Sequence, residues 1–298
     1  MNIKELSHWM VMRIQRSNYD IHGRIAKKKS VNIEYCDLEN IGDALAPIVV
    51  KYMLDRKNID PDKPINKTKH LVTIGSIIGW GLYDHTVWGS GILREFYIQN
   101  MRKRKRIYKI KYDIRAVRGP ITRMILLALG EECPAIYGDP AILMPEIYVP
   151  DRTSVKYETS LILHHRTKIN NTEATDENKY QINLDEFEKL TGNHLNIISP
   201  KTNDYKLFID EIVSSKLIIS SSLHGIILAE SYGIPSIFLN RGVTDQQIKF
   251  LDWYLSTNRM PYAARSLDEA VKMQHPKVPD LSYMKQQLIS AFPYDLWQ

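Results

Sequence analysis

Serine and histidine side chains follow a short apolar run in the last third of the chain, and their types and spacing suit the binding of an anion. The run Lys216–Ile219 leads into Ser220, Ser221 and Ser222, and His224 lies where the next helix is expected to begin. Free backbone N–H groups and the positive end of the helix dipole favour a phosphate or a carboxylate at such a helix start. His224 would add a proton or a positive charge. The segment predicts half of an anion-handling active site; the alternative is a serine cap without a ligand.

Arg118 and Asp43 are two further side chains that could take part in binding or catalysis. Arg118 is expected at the end of a strand, ahead of Gly119 and Pro120, which is where parallel sheets place binding residues. A structural ion pair is the alternative for this arginine. Asp43 follows the turn 40–42 and either caps a helix or serves as a general base.

Two histidines and an arginine close a further predicted strand in the second half of the chain. They are His164, His165 and Arg166. No carboxylate or cysteine stands near them at the spacing of metal ligands, so proton transfer or contact with a substrate is predicted and a metal site is not. Trp88 either offers its apolar ring face to a ligand or belongs to the core.

Positive charge is concentrated in one stretch of a chain whose formal net charge is +6. Between Arg102 and Arg118 there are nine basic residues against the single acidic residue Asp113. Such a stretch fits nucleic acid, anionic lipid or a phosphate-bearing substrate, or is a solvated helix face. No zinc finger, RNA-recognition signature or helix-turn-helix accompanies it, so no nucleic-acid partner is predicted. We expect peripheral contact with an anionic membrane surface.

Composition indicates a globular protein with room for two domains. The chain has 298 residues, of which 44% are hydrophobic and 25% charged. Its two cysteines, Cys36 and Cys133, form neither a disulfide framework nor a zinc spacing. No stretch approaches the roughly 20 apolar residues of a membrane span, and the first 16 residues do not form a secretory signal. We expect a cytoplasmic protein, peripheral at the inner face of the cytoplasmic membrane.

Strands and helices alternate along the whole chain. Three prolines interrupt this pattern between Asp139 and Asp151, which predicts one domain at 1–150 and another at 151–298. Alternation of this kind predicts an α/β fold with parallel sheets and ligands at the carboxyl ends of the strands. Two such halves would form Rossmann-like domains that face a common cleft.

The chain resembles the polysaccharide pyruvyl transferase family through nearly its whole length. Each matching motif is short, but six of them occur in one order at compatible spacing. They are Asn40–Pro47 (NIGDALAP), Gly75–Ile77 (GSI), Val87–Gly91 (VWGSG), Ala116–Arg123 (AVRGPITR), Tyr137–Ala141 (YGDPA) and Ser221–Gly225 (SSLHG), with Lys249–Tyr254 (KFLDWY) as a weaker seventh.

This resemblance implies a GT-B-like fold and a transferase that moves the pyruvyl group of phosphoenolpyruvate onto two hydroxyls of a sugar. The product would be a ketal in bacterial capsule, exopolysaccharide or other cell-surface polysaccharide synthesis, with no metal and no cofactor beyond phosphoenolpyruvate as co-substrate. The implied acceptor is a free, nucleotide-linked or lipid-linked sugar. The catalytic residues would be His224, Arg118 and Asp43; the donor would be bound by Ser221, Ser222, Leu223, His224, Gly225 and Arg118, and the acceptor by Asp43, Ser76, Trp88, His164, His165 and Arg166.

One departure from the family pattern concerns Ser222, because some relatives carry arginine there. Without that cation, Arg118 is the arginine expected to hold the anion. Two alternatives stay open: a GT-B glycosyltransferase that uses a nucleotide sugar, since fold does not determine function, and a non-catalytic saccharide-binding partner.

Overall fold

A computed structural model describes residues 30–35, 39–81, 83–93, 95–151, 155–164, 195–240 and 247–298 of the chain. The described residues fall into two compact units. Unit 1 contains those of 30–35, of Asp43–Pro140 and of Ser282–Gln298, and unit 2 contains those of 39–42 and of Ala141–Leu281.

Unit 1 is built on a four-stranded parallel sheet. Its strands are β1 (Val31–Glu34), β2 (Lys69–Val72), β3 (His85–Trp88) and β4 (Tyr112–Ala116), which pair in that order. Short apolar patterns at 31–35, 71–74 and 114–117 predict strands from the sequence, and β1, β2 and β4 lie within a few residues of them. β3 was not predicted, because its four residues lie within a glycine-rich stretch that reads as a series of turns.

Three helices accompany this sheet along the chain. They are α1 (Ile41–Asp55), α2 (Glu95–Tyr108) and α3 (Pro120–Ala128). Pro120 occupies the first turn of α3, where its missing N–H and restricted φ are tolerated. The basic stretch predicted as a cationic surface forms the second half of α2 and the segment that follows.

Unit 2 contains a five-stranded parallel sheet in the order β6-β5-β7-β8-β9. The strands are β5 (Tyr157–Ile162), β6 (Leu195–Ile198), β7 (Ser215–Ser220), β8 (Ser236–Leu239) and β9 (Ala263–Ala264). β5 pairs with β6 on one side and with β7 on the other. The chain therefore adds strands first to one side of β5 and then to the opposite side.

The helices of unit 2 are α4 (Met144–Ile147), α5 (Tyr205–Val213), α6 (Leu223–Ser231), α7 (Gln247–Ser256) and α8 (Leu267–Lys272). Asp204 caps α5 by accepting hydrogen bonds from the backbone N–H groups of Lys206 and Leu207. Most of α6 is buried, as expected for a helix with apolar residues on all sides. These two units confirm the predicted α/β class with parallel sheets.

A buried glutamate joins three elements of unit 2. Glu230 in α6 accepts two hydrogen bonds from Arg259, at 2.9 and 2.7 Å, and one from Trp253 Nε1 at 2.9 Å. The hydroxyl of Ser236 in β8 also donates to it, at 3.2 Å. The weaker seventh motif, Lys249–Tyr254, thus contributes its tryptophan to a structural network.

The domain boundary predicted at residue 150 is corrected by the structure, which divides the chain after Pro140 and returns the C-terminal segment to unit 1. That segment comprises α9 (Ser282–Ser290) and a 3₁₀ helix (Tyr294–Trp297). Trp88 Nε1 donates to the carbonyl of Leu288 at 2.9 Å, and the ring of Phe292 lies edge-on to Trp88 with 4.8 Å between centroids. Sequence patterning could not show this return, because the contacts join residues about 200 positions apart.

None of the helices in the described residues is long and apolar enough to cross a membrane.

Candidate functional site

The serine turn of unit 2 is held together by the hydroxyl of Ser220, the last residue of β7. Its Oγ accepts a hydrogen bond from the backbone N–H of Ser222 at 3.0 Å. The same Oγ lies 2.9 Å from the carbonyl oxygen of Ser222 and 3.1 Å from that of Ile162, so its proton has two acceptors. Ser220 therefore shapes the turn, a role that was not predicted from the sequence.

Ser221 connects this turn to the end of the neighbouring strand. Its Oγ accepts a hydrogen bond from the backbone N–H of His164 at 2.9 Å, and its own N–H donates to Ile162 at 2.9 Å. His164 follows β5 and is only 8% exposed. Two predicted site segments are thereby brought together at the carboxyl ends of β5 and β7.

This meeting point is where the strand order of the sheet reverses. β5 is followed along the chain by β6 on one side and then by β7 on the other. Open parallel sheets bind ligands at such a switch point, outside the carboxyl ends of the strands. The topology thus favours the serine turn as a binding site independently of its sequence.

His224 lies in the first turn of α6, and its imidazole ring packs against the backbone of Gly42. A Cβ atom at Gly42 would lie 2.7 Å from Cγ of His224 and closer still to two other ring atoms, so only glycine leaves room for the ring. The backbone around Gly42 is itself anchored, because the N–H of Ile41 donates to Pro200 at 2.9 Å. In the sequence, Gly42 belongs to the NIGDALAP motif. A glycine in the first turn of a helix is the sequence signal that indicates close packing at this position.

Ser222, Leu223 and Gly225 complete the predicted donor turn. Ser222 precedes α6 without capping it through its side chain, and Leu223 is buried. A Cβ atom at Gly225 would lie 2.5 Å from Ser220 Oγ, so this glycine lets the helix approach the strand end closely. α6 has no acidic residue in its first turn.

In unit 1, Arg118 is fully buried and joins the loops that follow β2 and β3. Its guanidinium donates to Ser76 Oγ at 2.5 Å and to the carbonyl of Ile92 at 3.0 Å, and its backbone N–H donates to Ser90 at 2.9 Å. The backbone of Gly91 lies directly against the guanidinium. As described, this side chain supports the loops from inside, and its predicted binding of an anion stays a prediction.

The same loops are tied to each other by backbone and hydroxyl contacts. Ser90 Oγ donates to the carbonyl of Gly75 at 2.8 Å, and the N–H of Gly91 donates to the same carbonyl at 3.0 Å. Gly75 has a φ of 108°, which favours glycine. Asp43 is 9% exposed, and its Oδ1 would lie 3.9 Å from a Cβ atom at Gly75. Asp43, Ser76 and Arg118 are thus neighbours of one loop in unit 1.

The structure favours the core alternative for Trp88. It is fully buried, it donates to the carbonyl of Leu288, and it packs against Phe292, so its faces belong to the core. His165 and Arg166, which were predicted to contact the acceptor, lie outside the described residues. Within the described residues, no group of three or more His, Cys, Asp or Glu side chains could hold a metal ion.

A buried histidine of unit 1 has a strongly perturbed pKa. Burial lowers the pKa of His85, the first residue of β3, to about 4. Its Nδ1 lies 3.0 Å from the carbonyl oxygen of Tyr83, and its ring lies edge-on to that of Tyr112. Nearby, His70 Nδ1 lies 2.9 Å from a carboxylate oxygen of Glu34. These groups surround the start of β3 and were not singled out from the sequence.

Comparisons with known proteins give three findings. An uncharacterized protein, L143, of Acanthamoeba polyphaga mimivirus is 28% identical over 241 residues, which are 77% of this chain and 75% of that protein. A crystal structure of the uncharacterized protein KP1_0663 from Klebsiella pneumoniae subsp. pneumoniae NTUH-K2044 covers 89% of this chain and 98% of its own, with 15% identity and a TM-score of 0.45. A family model for polysaccharide pyruvyl transferase matches residues 40–242, from the first residue of the NIGDALAP motif to beyond the SSLHG turn. The chain therefore belongs to the polysaccharide pyruvyl transferase family.

Proposed function

We propose that the protein transfers the pyruvyl group of phosphoenolpyruvate to two hydroxyls of one sugar and that the serine turn of unit 2 binds the donor. The family supports pyruvyl transfer in polysaccharide biosynthesis with a sugar or polysaccharide acceptor. The observation that carries the choice of donor site is the position of Ser221 and His224 at the strand-order reversal.

Phosphoenolpyruvate carries a phosphate and a carboxylate, and the turn offers groups that suit either. The first backbone N–H groups of α6 have no partner within the helix, and the helix dipole places partial positive charge there. The absence of an acidic residue from the first turn of α6 avoids repulsion of an anion. His224 supplies a side chain that donates a hydrogen bond to an anion.

The reaction needs a proton donor and a proton acceptor in addition to anion binding. The acid protonates the CH₂ carbon of phosphoenolpyruvate, which becomes the methyl group and leaves an oxocarbenium-like centre on the adjacent carbon. One sugar hydroxyl attacks that carbon and loses its proton to a base, inorganic phosphate departs with the electrons of the broken C–O bond, and the second hydroxyl attacks in the same way. Of the two hydroxyl protons released, one restores the acid and the other leaves with phosphate or solvent. His224 is our proposed acid and proton relay.

The residues of unit 1 have different proposed roles. Asp43 and Ser76 are proposed for the acceptor, since both lie beside the Gly75 loop. Arg118 is proposed as a positioning residue that holds Ser76 in place through the guanidinium. Direct binding of the donor by Arg118, and the GT-B-like arrangement, stay predictions.

Thermal unfolding with and without phosphoenolpyruvate tests the proposal without an acceptor. A ligand at about 100 times its Kd stabilises the folded state by about 2.7 kcal/mol, which raises Tm by several degrees. We expect this increase for the wild type and its loss in His224→Gln. His275→Gln is the matched control, because His275 is an exposed histidine of the same unit.

The same assay separates the proposal from its competitors. A Tm increase with nucleotides and none with phosphoenolpyruvate would identify a nucleotide-sugar donor and overturn the proposal. An equal increase of Tm with phosphoenolpyruvate in the wild type and in His224→Gln would show that the donor does not bind at this turn.

A further inference from the structure

The second half of α2 and the segment after it form an exposed surface that combines positive charge with apolar side chains. We call it the basic patch. Its members are all exposed to solvent: the cations Arg102, Lys103, Arg106, Lys109 and Lys111 and the apolar residues Ile107 and Tyr108.

Helical spacing places several of these side chains together on the outer face of α2. Met101 is buried in the core, whereas Lys103, Arg106 and Ile107 are exposed, and residues three and four positions apart share one face of a helix. Lys105 turns away from this surface and pairs with Glu131. The five cations of the basic patch, in contrast, are exposed to solvent and can contact a partner.

Two large apolar side chains are exposed among these cations. Ile107 is 50% exposed and Tyr108 is 56% exposed, and both follow Arg106 directly. Water solvates cations well, but it does not favour an aliphatic and an aromatic side chain of this size at the surface. An anionic bilayer offers both kinds of contact, since it presents negative charge next to an apolar phase.

A cavity of about 200 Å³ borders the patch. Its wall combines the cations Arg102, Lys105 and Arg106 with the carboxylate of Glu131, which pairs with Lys105, and with the apolar side chains of Met101 and Leu129. The guanidinium groups of Arg102 and Arg106 suit a phosphate, because arginine forms paired hydrogen bonds with phosphate oxygens. The cavity wall, like the basic patch, therefore contains both cationic and apolar side chains.

We propose that the basic patch docks on a bilayer that contains anionic phospholipid. The cations attract the phosphate groups of the surface, and Ile107 and Tyr108 enter the region between headgroups and acyl chains. Nucleic acid would use the same cations, but the aliphatic Ile107 can neither stack on a base nor pair with a phosphate, so the bilayer is favoured. The proposal goes beyond sugar modification and does not depend on the identity of the donor.

Sedimentation of the full chain with vesicles at low salt tests this proposal. We expect binding to vesicles of equimolar phosphatidylcholine and phosphatidylglycerol, no binding to pure phosphatidylcholine, and release when salt shortens the range of the attraction. Each basic residue near an anionic surface strengthens binding about fivefold, so Lys103→Gln with Arg106→Gln weakens it about 30-fold. Ile107→Ser with Tyr108→Ser tests the apolar contribution and also weakens binding.

The control pair is Lys57→Gln with Lys63→Gln, which removes the same charge from exposed positions of unit 1 outside the patch. We expect this pair to bind the anionic vesicles as the wild type does. Equal weakening by both charge-removing pairs would attribute binding to net charge and overturn the proposal. Absence of binding by the wild type would overturn it as well, and so would binding of RNA or DNA through the patch without binding of vesicles. Circular dichroism of each variant confirms that an observed loss is not a loss of folding.

Discussion

Gly42→Ala should displace the imidazole of His224 while it leaves the fold intact. The new Cβ atom would lie 2.7 Å from Cγ of His224 and closer to two other ring atoms. Carbon atoms in contact normally lie about 3.5–4.0 Å apart, so the ring must retreat by about 1 Å. Gly42 lies in the first turn of α1 and is not among the glycines with positive φ, so alanine can adopt its backbone conformation without strain. The substitution therefore changes the position of the histidine ring without lowering the stability of the protein.

The expected loss can be estimated from one hydrogen bond. If His224 donates to an anionic group of phosphoenolpyruvate, that bond contributes about 1.5–3 kcal/mol, which corresponds to roughly a 10- to 100-fold change in Kd. Titration calorimetry with phosphoenolpyruvate measures this change, and urea denaturation measures stability. We expect weaker binding and unchanged or slightly increased stability for Gly42→Ala.

Gly233→Ala supplies the opposite pattern as a control. No atom lies within 4 Å of the added Cβ at Gly233, but its φ of 80° costs an alanine roughly 1–2 kcal/mol. This variant should lose stability and keep its affinity for phosphoenolpyruvate. The role given to Gly42 is wrong if Gly42→Ala binds phosphoenolpyruvate as the wild type does. It is also wrong if Gly42→Ala in the His224→Ala background causes a further loss, because the two changes should act through one side chain.

Three further predictions concern buried ionisable side chains. Glu230→Ala leaves Arg259 without its carboxylate and should lower the free energy of unfolding, measured in urea, by about 3–5 kcal/mol. Glu158→Ala breaks an exposed ion pair and should lower it by less than about 1 kcal/mol. Equal losses in the two variants would contradict the assigned burial. Burial lowers the pKa of His85 from 6.5 to about 4, so the unfolded chain binds a proton at higher pH than the folded one. Stability should then decrease by roughly 3 kcal/mol as the pH falls from about 6.5 to about 4, and His85→Asn should lessen that decrease in unfolding measured across this range. Arg118→Lys keeps the charge but cannot reach both loops, so it should lower the free energy of unfolding by about 1.5–3 kcal/mol, and wild-type stability would show that the bridge is dispensable.

Local patterns along the chain are sufficient to predict the class of the fold and the location of the serine turn. Strand and helix periodicities are local properties, and the change from the apolar run at 216–219 to the serines and then to a helix is visible within a few residues. The order of six short motifs likewise indicates the family, and the family match confirms it.

Which side chains are available and which are enclosed depends instead on tertiary contacts. Arg118 and Trp88 looked like binding residues, but both are fully buried, and Trp88 is covered by a segment that begins almost 200 residues later. The contact of Gly42 with His224 and the reversal of strand order beside β5 also join residues that are distant in sequence. Burial and strand order depend on such long-range contacts, and the pattern of one segment carries no information about the partner that will cover it.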